Sequence, residues 1–64
     1  MTEAQRRVAK QLLMPPGYYA LAPLSQLRSV IALARRGLAE EDPRNPGYFR
    51  LTPAGRAALE TDHG

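Results

Sequence analysis

Proline decides how long any regular element of this chain can be. Six prolines stand among its 64 residues, and proline blocks helix propagation because it lacks an amide proton and restricts the residue before it. Pro15 and Pro16 must end whatever helix precedes them, Gly17 supplies a turn, and Pro23 closes the next segment. Pro43 and Pro46 bracket a further break that ends on Gly47, and Pro53 marks another. What remains is a series of short elements, expected to form one domain over residues 1–60 with a flexible tail at 61–64.

A domain of this size buries only about 60% of the surface its unfolded chain exposes. The chain has no cysteine and no evident cluster of metal ligands, so neither a disulfide nor a metal is expected to reinforce it. Oligomerisation, in the form of a homodimer, is therefore an expected source of further burial. The absence of cysteine fits a reducing, cytoplasmic setting, and the lack of a long apolar run argues against membrane insertion. Residues 1–13 do not read as an export signal, because Arg6, Arg7 and Lys10 sit where its apolar stretch belongs.

Thr2 followed by Gln5 forms a capping-box pattern and predicts a helix over Glu3 to Leu13. Ala4, Val8 and Leu12 share one face of it, and Arg6, Arg7 and Lys10 lie opposite. Tyr18 to Leu21, an aromatic and apolar run between breakers, reads as a short strand. After Pro23, the residues Leu24, Leu27, Val30, Ile31, Ala34 and Leu38 fall within roughly 120° on a helical wheel, predicting a core-facing stripe. Leu33 stands outside that stripe. Gly37 follows where a left-handed helix cap is wanted.

Two strand-like runs, Leu38 to Asp42 and Tyr48 to Thr52, flank the turn-rich Pro43-Arg44-Asn45-Pro46-Gly47 and predict a hairpin. Alternation along the second strand turns Phe49 and Leu51 inward and Tyr48 and Arg50 outward. Thr52-Pro53 then reads as the cap and first residue of a short last helix carried by Ala54, Ala57, Ala58 and Leu59. The expected class is α+β: helix, short strand, helix, two-stranded hairpin, short C-terminal helix.

No catalytic constellation emerges. Nucleophilic catalysis needs a base beside the nucleophile, and the one histidine, His63, falls in the expected tail. No phosphate-cradling glycine loop is present, and no cofactor is expected, so the chain reads as a binding domain and not an enzyme. Its formal charge of +3 permits attraction to polyanions. Against that stands one acidic run, Glu40, Glu41 and Asp42.

From Leu27 to Leu59 the chain resembles winged-helix transcriptional regulators of the MarR and PadR type. The residues that carry the resemblance are Leu33-Ala34-Arg35-Arg36-Gly37-Leu38, then Asp42-Pro43-Arg44, then Tyr48-Phe49-Arg50-Leu51-Thr52-Pro53-Ala54-Gly55-Arg56-Ala57-Ala58-Leu59. They are similar to the end of a recognition helix, a wing, and the second wing strand with its following helix. The separate helix that precedes a recognition helix in such proteins is missing here or reduced to a turn, as in small phage-like versions. The long terminal helices through which MarR-type proteins dimerise are absent too.

The resemblance implies double-stranded DNA as the partner and transcriptional regulation as the role. The outer side of the helix after Pro23 offers Ser25, Gln26, Arg28, Ser29, Arg35 and Arg36, polar and guanidinium side chains of the kind that reach base edges and phosphates. Arg44 and Asn45 at the hairpin tip, with Arg50, complete the expected contact set. Two other roles remain open: an excisionase-like accessory protein that bends DNA, and a protein-binding module such as a phage-encoded inhibitor of a host machine. The acidic run and the stray Leu33 favour the last.

Overall fold

A computed structural model describes residues 1–61. Helix α1 spans Glu3–Gln11 and strand β1 Ala20–Leu21; a 3₁₀ turn, Leu24–Gln26, runs directly into helix α2, Leu27–Arg35. Strands β2, Ala39–Glu41, and β3, Tyr48–Leu51, form the hairpin, and helix α3 covers Pro53–Thr61. The result is an α+β domain with three helices and a three-stranded antiparallel sheet ordered β1-β3-β2. Strand β1 thus extends the expected two-stranded hairpin by pairing Ala20 with Phe49 and Leu21 with Tyr48.

Local chemistry explains the boundaries. The Gln5 amide donates to Thr2 Oγ1 at 3.1 Å while the Thr2 amide donates to Gln5 Oε1 at 3.2 Å, satisfying two amides that the first turn would leave unpaired. At the end of α2, Gly37 adopts φ +74°. Its amide donates to the Ala34 carbonyl and the Leu38 amide to the Leu33 carbonyl, a Schellman pair that turns the chain into β2. The Thr52 hydroxyl caps α3 through the Gly55 amide at 3.0 Å and donates in turn to the Gly37 carbonyl at 2.7 Å. Gly55 lies so close to the Leu38 carbonyl that a Cβ there would stand 1.9 Å from the oxygen.

Helices α1 and α2 pack against each other and run antiparallel, since Gln5 meets Arg36 while Gln11 meets Gln26. Between them and the sheet lie Val8, Ala9, Leu12, Ala22, Val30, Leu33, Ala39, Phe49 and Leu51, all buried. The inward setting of Phe49 and Leu51 follows the strand alternation expected from sequence.

The orientation of α2 corrects the sequence reading. Leu33, excluded from the predicted stripe, is fully buried with Val30, whereas Leu24, Leu27 and Ile31 are 88%, 37% and 40% exposed. Ala34 and Leu38 are partly buried against the core. Only residues 27–35 are α-helical, so Leu24 belongs to a tighter 3₁₀ turn and Leu38 lies beyond Gly37, and neither follows the 100° wheel. The remaining apolar arc, from Leu33 through Val30 to Ile31, is too wide to bury whole. The packed side is the one that meets Val8, Ala9 and Leu12 of α1.

Between β1 and β2 stand the 3₁₀ turn and the single helix α2. Thr61, assigned by sequence to the tail, closes α3 with its hydroxyl donating to the Ala57 and Ala58 carbonyls. Asp62, His63 and Gly64 lie outside the described residues.

Candidate nucleic-acid interface

Charge is segregated along this chain. Residues 4–39 contain Arg6, Arg7, Lys10, Arg28, Arg35 and Arg36 and no acid, whereas residues 40–64 contain three arginines against five carboxylates. The antiparallel packing of α1 on α2 brings the two helices that carry these cations together, with Glu3 of α1 paired to Arg7 at 3.7 Å.

Arg28 and Arg35 are exposed and carry no ion pair among the described residues. They lie seven residues apart on one side of α2, about two helical turns or 10 Å. Arg36 is exposed one residue further round the helix, where its Nη1 reaches Gln5 Oε1 at 3.5 Å. Ser25 is exposed in the 3₁₀ turn. With Ile31 and Ala32, the three arginines line an open hollow of about 530 Å³.

Other expected contact residues are engaged within the fold. Gln26 is half-buried and its Oε1 accepts from Gln11 Nε2 at 3.4 Å, so it faces α1. Ser29 is also half-buried. Arg50 donates from Nε to Glu40 Oε1 at 2.6 Å, and its guanidinium lies 4.5 Å from the centre of the Tyr19 ring. That arginine joins both strands of the hairpin to the segment before β1. Asn45 donates from Nδ2 to Asp42 Oδ2 at 3.0 Å.

The acidic run therefore has structural work at each position. Glu40 pairs with Arg50 across the register that sets the two residues opposite one another. Glu41 accepts from the Gly47 amide at 2.8 Å, which holds the loop closed where Gly47 adopts φ +92°. Asp42 accepts from the Asn45 side chain and from the Arg44 amide, the latter at 2.9 Å. These two hydrogen bonds, together with the Arg44 charge, hold its carboxyl below the usual 3.8. Only Arg44 offers the hairpin tip an exposed guanidinium with no ion pair among the described residues.

The sequence reading missed the exposed apolar row Leu24, Leu27 and Ile31, which borders these arginines. Leu33 was the available signal, because a leucine outside the assumed stripe means that the stripe has been drawn on one side too far. Among the described residues no group of His, Cys, Asp and Glu is placed to hold a metal ion, and no helix is long and apolar enough to cross a membrane. No model of a known family, no curated protein and no solved structure matches the chain.

Proposed function

We propose that this is a winged-helix-like domain that binds double-stranded DNA, with α2 as the element entering the major groove. The observation that carries the reading is the concentration of six cations on α1, α2 and the cap of α2 against a single carboxylate, Glu3, which pairs with Arg7. The order helix, strand, helix, hairpin, helix, with the short strand paired to the second hairpin strand, supports the winged-helix assignment. Arg28 lies in the first turn of α2 and is the base-contact candidate, since a groove-inserted helix reads bases mainly from its N-terminal exposed positions. Arg35, Arg36 and Lys10 suit phosphates.

The hairpin has a smaller part in this reading than its sequence suggests. Arg50 is committed to Glu40 and Tyr19, and Arg44 stands beside Asp42, so the tip brings little net attraction to a polyanion. The footprint is centred on the helices, and the role is that of a small regulator of transcription.

An electrophoretic shift on random duplex over a salt series tests the reading. Contact with three or four phosphates gives a log–log slope of about −3 for B-DNA. No shift at low salt, or a shift insensitive to salt, would overturn it.

A further inference from the structure

Leu24, Leu27 and Ile31 form an exposed row at spacings of three and four residues along one side of the 3₁₀ turn and α2. A duplex gives such a row little to bind, since thymine methyls are the main apolar groups in the major groove. The row is bordered on one side by Arg28 and Arg35, and the neighbouring hollow has Ile31 and Ala32 along its apolar part and Arg28, Arg35 and Arg36 around it. We propose that this row and its arginine border are the docking site for an acidic amphipathic helix of a partner protein, which excludes DNA from α2 when it binds.

Charge complementarity and apolar match together select such a helix. A helix that lays leucine-type side chains on Leu24, Leu27 and Ile31 brings its flanking positions over Arg28 and Arg35. Glutamate or aspartate there finds two guanidiniums whose planar forks suit carboxylates. A second copy of this chain fits less well. Its own row is bordered by the same arginines and offers no carboxylate to them. Docking follows from the row and its charges alone; exclusion of DNA rests on the DNA-binding reading, because both ligands would use Arg28 and Arg35.

The test uses the full chain and two labelled synthetic helical peptides of about 20 residues, long enough to span the row at 1.5 Å per residue. Both carry leucines at spacings of three and four, one with glutamate flanks and the other with lysine flanks. Fluorescence anisotropy is expected to give saturable binding of the glutamate peptide at least about tenfold tighter than the lysine peptide. The Leu27→Gln/Ile31→Gln double variant, whose fold is verified by cooperative thermal unfolding above the assay temperature, should lose about tenfold in peptide affinity and keep duplex binding within about twofold. The glutamate peptide should also displace labelled duplex from the wild-type chain.

Equal binding of the two peptides, no binding of either, or an unaffected double variant would each overturn the proposal. So would a micromolar dimer in sedimentation that the double variant dissolves, which would assign the row to a second copy. Peptide binding without any duplex shift would mean that the DNA reading fails and the docking site stands.

Discussion

The outer side of α2 and the hairpin both carry charged residues and use them in opposite ways. In the hairpin, Glu40, Glu41 and Asp42 each meet a donor inside the domain, and Arg50 is held by both a carboxylate and an aromatic ring. On α2, Arg28 and Arg35 meet no such partner among the described residues, and the large apolar side chains beside them are left in water. A hairpin of two short strands is barely stable alone, so its charges hold its shape. Helix α2 is already anchored by Val30 and Leu33 and needs none of its arginines for that purpose. An acidic run in the sequence is thus poor evidence against polyanion binding until its donors are known.

The largest effect should separate the two sides of α2 itself. Leu33→Ala is expected to cost about 2–5 kcal/mol, because it opens a cavity in a fully packed site. That is a large share of the roughly 5–15 kcal/mol that holds a domain together. Ile31→Ala, two residues away and partly in solvent, should cost about 1 kcal/mol or less. Urea unfolding of the two variants checks the pair. Similar losses would break the comparison by placing Ile31 in the core.

Much of this fold is legible wherever a signal is local. The Thr2 and Gln5 cap, the left-handed Gly37, the Thr52-Pro53 helix start and the alternation of Phe49 and Leu51 each involve residues within a few positions of one another. The rotation of α2 is a different kind of fact. Its apolar residues cover more of the helix than the core can receive, and the choice of Leu33 over Ile31 is made by α1 and the sheet, which a helical wheel does not contain. The same holds for Ala9, Ala22 and Ala39, which are buried because neighbouring elements approach closely there. Within the candidate site, the exposure of Arg28 and Arg36 was readable from the wheel, which set Arg35 at its margin. The withdrawal of Gln26, Asn45 and Arg50 was not, since their partners Gln11, Asp42, Glu40 and Tyr19 are fixed by tertiary pairing and by the turn.

The next effect concerns binding. Arg28→Ala should lose about 1–3 kcal/mol on a preferred duplex and less on random sequence if it contacts guanine. Arg35→Ala should weaken all sequences alike and lower the salt slope by about one. Arg44→Ala should do less than either, because Asp42 beside it already offsets its field. A larger loss for Arg44 than for Arg35 would move the footprint to the hairpin and reverse the comparison. A smaller effect is expected from Glu40→Gln, which leaves Arg50 without its carboxylate. Both side chains are partly exposed, so the loss of stability should be small, while duplex binding at low salt should tighten as a negative charge is removed.

The smallest effect is the most localised, and it comes from acid. Asp42 is held below its ordinary 3.8 by the Asn45 side chain first and the Arg44 amide second, so the folded state takes up its proton less readily than the unfolded chain. The contribution of Asp42 is therefore present in full above 3.8 and is lost as pH falls through the lowered folded-state value. Protonation removes an acceptor from the turn, and the Arg44 amide and the Asn45 side-chain amide should register it together. NMR shifts of those two groups followed below pH 5 should share one midpoint under 3.8, and Asp42→Asn should abolish it. Helix α2 supplies the internal control. It has no carboxylate anywhere between residues 4 and 39, so the amides of its outer face should stay still across the same range. A midpoint at or above 3.8 would mean that Asp42 does not hold the turn, and a shared titration on α2 would mean that the two regions are coupled and not separate in the use of their charges.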